Sequence, residues 1–522
     1  MVSLVIDSAL STNARRKQTS RGISLPPPVG GLNYIDELSN MDARDALILD
    51  NIFPLASFVE LRRGYESHAT GMGAGKTIKS LMEWAGPSSR KLKAAVDGKI
   101  YDVTVSGAVG AAELSGLTVD QWQHVNFKTA GGAFLVMCNG TDAVRNYDGT
   151  TWTSPSITGS GLTSANLINV AVFKSRLWFV EKNSTNAWFL PVNSIAGAAT
   201  QQDLGAQFTL GGSLIAIGSI SQDSGDGIDD FLVFVSSRGQ FAVYQGTDPT
   251  SANSWALIGT YRVGYPIGYR CLTDVGGDLG ILNADGVVSS FQAMKNDRST
   301  AQRMAITNKI QKLISDYTYT YANRDGWSSI VYPKNNQVIF NIPLSTTRFI
   351  QLVMNTDTGA WCRFTNINAF CWSLLGDDLY FGDANGTVWL ADTGYQDNGG
   401  AITGELKTAW NYVGSRGNNK FFNMVRPVIQ VTGSPSVLFA YDVDFNNTTP
   451  TGTINPSGQA ATVWGSALWG SAIWDGALAI NTEWYSPGTI GYCGSAHLIV
   501  TSNNNRFILN SLDIQVLPGG PI

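Results

Sequence analysis

The chain has 522 residues, a formal net charge of −5 and only 14% charged residues. That balance argues against a protein that grips nucleic-acid phosphates, which normally carries a basic surface, and so low a charged fraction fits a surface partly covered by partners. Three histidines (His68, His124, His497) limit acid–base and metal chemistry near neutral pH, and five cysteines without CxxC spacing read as reduced, mostly buried thiols, which fits assembly in a cytosol.

In chain order, residues 1–30 read as an N-terminal arm. Arg15, Arg16, Lys17 and Arg21 lie among Ser, Thr and Asn, and Pro26-Pro27-Pro28 holds the exit extended. Such a basic cluster is either a solvated tail or an arm that orders on a neighbouring subunit. The apolar start is broken at Asp7, too early for a signal peptide, and no run approaches the ~20 apolar residues of a membrane span, so a soluble chain is expected. Residues 31–75 read as an N-terminal segment with one short helix, Ser39 to Asn51, from Ser39 as N-cap, Asp42 three positions on and Pro54 beyond the end.

Residues 76–394 carry the strongest pattern. Seven stretches place a short apolar run, a polar Gly, Asn or Asp turn, and a second run in succession, as in Ala94-Ala-Val-Asp-Gly-Lys-Ile-Tyr101 and Leu379-Tyr-Phe-Gly-Asp-Ala-Asn-Gly-Thr-Val-Trp-Leu390. Each is a β-hairpin signature. The hairpins start at residues 94, 135, 177, 232, 279, 337 and 379, hence 41 to 58 residues apart, a recurrence that stacked four-stranded propeller blades produce. A helical insertion is expected at 295–325, where Ile306, Ile310, Leu313 and Ile314 form a stripe at i, i+4, i+7 and i+8 that must pack on a blade rim or a protomer interface. After Gly399-Gly400 the strands lengthen, and residues 395–522 read as a separate β-sandwich-like domain. Inside it Trp464, Trp469 and Trp474 recur every five residues, a period that suits turns or bulged strands; they anchor a loop to its own sandwich or form a subunit contact. The expected fold is all-β: a β-propeller of six or seven blades with a C-terminal β-sandwich-like domain and a short helical insertion.

Few motifs carry chemistry. Gly71-Met-Gly-Ala-Gly-Lys-Thr77 ends like a phosphate loop, but Thr70 stands where the first glycine belongs and a blade follows, so nucleotide binding is not expected. Asp223, Asp226, Asp229 and Asp230 could wrap a cation but read first as a solvated turn. Tyr147-Asp-Gly-Thr-Thr-Trp152 and Asn355-Thr-Asp-Thr-Gly-Ala-Trp361 resemble incomplete Asp-box turns of sialidase-type propellers, where the motif is structural. Sialidase chemistry also needs an arginine cluster and a Tyr nucleophile, and Arg262, Arg270, Arg303 and Arg324 are scattered. No catalytic, cofactor-binding or metal-binding residue is assigned, and no cofactor is expected.

Two sets of phrases carry a resemblance. Gly30-Gly31-Leu32-Asn33-Tyr-Ile-Asp36, with Met41, Asp45-Ala46, Asp50-Asn51, Pro54, Val59 and Arg63-Gly64-Tyr65, resembles the opening of tail nozzle, tail hub or packaged-DNA stabilisation proteins of short-tailed bacteriophages. Thr358-Gly-Ala-Trp-Cys-Arg-Phe364, Gly404-Glu-Leu-Lys-Thr-Ala-Trp410, Lys420-Phe-Phe422 and the closing Phe507 to Gly520 are similar to later parts of that group. The resemblance implies a structural virion component without catalytic residues. It implies a homo-oligomer, a hexameric ring beneath the portal and its tail adaptor ring, meeting tail fibres or spikes and assembled in the host bacterial cytoplasm. Packaged DNA would pass through the lumen without sequence-specific binding, and the acidic balance would let it slide. The alternatives are a propeller lectin or receptor-binding tail component that recognises host glycans, and a glycan-cleaving propeller enzyme.

Overall fold

A computed structural model describes residues 20–223, 228–296, 298–303, 305–456 and 478–519. Its largest part is a ring of seven sheets; among the described residues, the first four have four strands each, the fifth has three, the sixth is four strands of a larger ten-stranded sheet, and the seventh has five. The inner strands are Ser80–Ala85, Gln123–Thr129, Leu167–Phe173, Leu214–Asp223, Leu272–Val275, Ser328–Tyr332 and Cys371–Leu375. Each packs on the next, and the last on the first. All seven hairpins expected from the sequence are present, each joining or following the second strand of a sheet. Asp97 (φ 53°) and Gly98 (φ 70°) show the local cause: two left-handed residues in succession let Arg90–Val96 turn directly into Lys99–Asp102. The core is divided accordingly, with Trp122 and Trp178 fully buried in separate clusters between neighbouring sheets.

The ring is closed by a strand that the hairpin spacing does not reveal. Gly64–Thr70 precedes the first blade in the chain and pairs antiparallel with Val388–Thr393 as the fourth strand of the last. First and last parts of the ring thus share one sheet.

The sandwich is likewise built from both chain ends. One sheet joins Arg21–Leu25, Ile52–Pro54 and Val59–Leu61 to the long strands Lys420–Val431 and Phe507–Pro518. The facing sheet orders Asp45–Asp50, Ile402–Thr408, Gly494–Ser502 and Ser436–Val443, and runs on into the sixth blade through Asp50 beside Arg363. Three expectations are corrected here. The sandwich domain is not confined to 395–522. The part of the arm from Arg21 to Leu25 is a strand; Arg15, Arg16 and Lys17 lie outside the described residues. Ser39 to Asn51 is not a helix but turns followed by the strand Asp45–Asp50, because Ala46 and Leu49, both fully buried, are paired with Thr408 and Leu406. A partner strand outweighs a local capping signal.

The insertion is helical as expected: Ser290–Lys295, Arg298–Arg303 and Gln311–Tyr321. Ile310 and Ile314 are buried, with Ile306 and Leu313 against the same core, and the longest helix packs on Gly286–Ser289 and Gln337–Pro343. No helix among the described residues is long and apolar enough to cross a membrane. All five cysteines are free and buried.

Candidate functional site

Two places gather charged and polar side chains inside the fold: the junction between sandwich and propeller, where they are buried, and the propeller axis, where the charged one is half-buried. The junction draws Asn33, Asp45, Asp50 and Asn51 from the N-terminal segment and Arg363 from the sixth blade. Arg62 is 3% exposed and holds the Asp397 carboxylate with two nitrogens, Nη1 at 2.8 Å and Nη2 at 2.7 Å. Its Nε donates to Asn51 Oδ1 at 2.8 Å, and Asn51 donates to Thr365 Oγ1 and the Thr403 carbonyl, both at 2.8 Å. Asp50 accepts from Arg363 Nε at 2.8 Å across 313 residues of chain. Asn33 donates to Asp45 at 2.7 Å, and Lys309 of the insertion pairs with the same carboxylate at 2.9 Å.

Two glycines are required by close approach. Gly31 has φ 76°, and a Cβ there would lie 2.5 Å from the Trp361 backbone nitrogen. A Cβ on Gly64 would lie 1.8 Å from the Gln396 carbonyl oxygen. Side chains at either position would drive the two parts apart. A cavity of about 110 Å³ opens beside this network, lined in part by Arg62, Arg63, Trp372 and Asp392. Burial raises the Asp392 carboxyl above its ordinary pKa, against the hydrogen bond from Tyr332 at 3.0 Å and the charges of Arg63 and Lys334.

The axial cavity, about 360 Å³, is lined by residues from inner strands or their lead-ins on all seven sheets. Arg270 enters it from just before the fifth sheet. Its Nη2 donates to Ser80 Oγ at 2.7 Å and to the Trp122 carbonyl at 2.9 Å, and its Nη1 reaches the Lys79 carbonyl at 3.3 Å. Those acceptors belong to the first and second blades, each three places from the fifth sheet around the ring, so the side chain spans the axis. Among the described residues no carboxylate lines the cavity. His124 faces the same space, reached by water yet surrounded by protein, and burial followed by the Arg270 charge lowers its pKa to about 4. Its imidazole is therefore neutral at pH 7.

The other sequence motifs stay apart from both places. Gly71 to Lys76 is a turn between two strands with no helix after it, and Lys76 pairs with exposed Asp97 at 2.8 Å. In the first Asp-box-like turn, hydrogen bonds from Thr151 and Thr150 hold the Asp148 carboxyl well below the usual carboxylate range. In the second, Asn355 donates to the Pro54 carbonyl at 2.9 Å and so braces the junction. Asp223 and Asp229 stand on the paired strands of a hairpin, Asp230 binds Lys174, and Asp226 lies outside the described residues, as do Trp464, Trp469 and Trp474. Among the described residues no group of three His, Cys, Asp or Glu side chains could hold a metal ion. Arg262, Arg303 and Arg324 do not line the axial cavity with Arg270.

No protein-family profile matches the chain, and no curated protein does. Among solved structures it is similar to BBS1N in complex with ARL6DN, with a TM-score of 0.41 and 11% identity over 64% of this chain and 99% of that one. It is also similar to a glycoside hydrolase family 43 arabinoxylan arabinofuranohydrolase from Bacillus subtilis, with a TM-score of 0.25 and 11% identity over 86% and 95% of the two chains. YCF48 bound to D1 peptide gives a TM-score of 0.35 and 11% identity over 68% and 99%. At these scores the likeness carries no argument about what the chain does; the propeller stands on its own strand order.

Proposed function

We propose that this chain is a structural, non-catalytic subunit of a short-tailed phage tail. In this reading it is one protomer of a hexameric nozzle or hub ring that retains packaged DNA and conducts it at ejection. One observation supports the reading most. The phrases that resemble tail nozzle proteins, far apart in the chain, meet at a single junction: Gly31 against Trp361, Asp50 on Arg363, Ala46 paired with Thr408. Residues with that role make a rigid two-part wall block, which suits a ring subunit that must resist internal pressure without chemistry. Because Arg270 spans the propeller axis, a duplex would run in a lumen between protomers and not through the propeller itself.

Negative-stain imaging of the purified chain, alone and with a tail adaptor ring or tailless heads, tests this. Six-fold rings with a central channel are the expected result. A monomer that ignores adaptor and heads overturns it and moves the weight to a glycan-recognising propeller.

A further inference from the structure

The axial cavity poses a problem in charge that the ring-subunit reading does not address. Arg270 is half-buried there with three neutral acceptors, and its Nε has no protein partner among the described residues. Withdrawing an unneutralised guanidinium part-way from water carries a desolvation cost that carbonyl oxygens only partly offset. The surroundings add donors and no counter-charge. Trp122 Nε1, which can only donate, and Ser328 Oγ are both buried without a hydrogen-bond partner, and both residues line the cavity. Asn169 and Gln123 supply further amide groups, and His124 is neutral.

We propose that this cavity is a binding site for a small oxyanion-bearing ligand, with Arg270 as its counter-charge. Its volume of about 360 Å³ lies at the small end of ligand pockets, enough for an inorganic oxyanion with its waters or for a carboxylated monosaccharide. Tyr269, 45% exposed, and Trp372 line the same space and offer faces on which a sugar ring can rest. Arg270 has two duties in this arrangement. It ties the fifth sheet to the first and second blades, and it presents its remaining N–H groups to the ligand. An anion bound there would neutralise the strut and so stiffen the ring. The proposal is independent of assembly, since the cavity lies within one protomer.

Isothermal titration calorimetry on the full chain, in a buffer low in chloride, tests it with three probes: sodium sulfate, sodium glucuronate and glucose. Saturable binding of sulfate or glucuronate at one per chain, with glucose inert, is expected. Sulfate alone points to a free inorganic oxyanion, and glucuronate alone to an acidic sugar. Because Arg270→Met removes the strut together with the charge, the decisive variant is Gln123→Glu, which keeps the side-chain shape and adds a carboxylate to the cavity wall. It should weaken anion binding at least tenfold while circular dichroism and melting stay normal. Absence of saturable anion binding, binding unchanged in Gln123→Glu, or glucose binding as well as glucuronate would each overturn the proposal.

Discussion

Arg62 and Arg270 both hold distant stretches of chain together, but they are neutralised differently. At the junction, Arg62 meets a carboxylate with two nitrogens and an amide oxygen with a third. On the axis, Arg270 meets two backbone carbonyls and one hydroxyl, and among the described residues no carboxylate lines its cavity. The first arrangement is complete within the chain and leaves no room for a ligand's charge. The second is structurally sufficient but electrostatically open, which is the difference between a permanent joint and a site.

The sharpest way to break that comparison is to remove each cation. Arg62→Met leaves the Asp397 carboxylate, 11% exposed, without its partner inside the junction. Loss of one partner of a buried pair costs about 3–5 kcal/mol, so equilibrium denaturation should show a large fall in stability. The double variant Arg62→Met/Asp397→Leu should recover most of it, because the cost lies in the stranded charge and less in the lost bond. A double variant as unstable as the single would mean that packing at the junction, and not charge, dominates.

Arg270→Met should cost less, about 1–2 kcal/mol, because the groups it strands are neutral and can turn to water in the cavity. The ordering is the informative result. If the Arg270 variant were the more damaged of the two, the strut across the axis would be the stronger element and the contrast drawn above would be reversed.

How far these places were legible in the sequence follows from how local they are. The seven hairpins were visible because alternation and turn residues such as Asp97-Gly98 act within ten residues. The helical stripe at Ile306, Ile310, Leu313 and Ile314 was visible for the same reason. The closing strand Gly64–Thr70 and the sandwich strands Arg21–Leu25 and Asp45–Asp50 were not, since their partners lie hundreds of residues away. Asp45–Asp50 even carried a false helix signal, from Ser39 and Pro54, that only its distant partner strand overrides. Arg270 was one of four scattered arginines, and nothing near it in the chain distinguishes it. It becomes special only when the ring sets the fifth sheet opposite the first two blades.

The smallest expected effect sharpens the comparison from the side of His124. Its pKa in the folded chain is about 4 against an ordinary 6.5, with burial the larger cause and Arg270 the second. Between pH 6.5 and 4 the unfolded chain takes up a proton that the folded chain refuses, so stability falls as pH falls through that window; above 6.5 the group contributes nothing. The full shift would correspond to about 1.4 kcal/mol per pH unit, and because water reaches the imidazole, screening should reduce the observed slope below about 1 kcal/mol per unit. Carboxylates elsewhere titrate in the same range, so the measurement is the difference between the parent chain and His124→Gln in melting temperature against pH. The difference should open below pH 6.5 in the parent background and narrow when Arg270→Met is added to both, because the second cause of the shift is then gone. An unchanged difference would mean that the cation and the imidazole do not share a field, and the open electrostatics of the axis would reduce to simple burial.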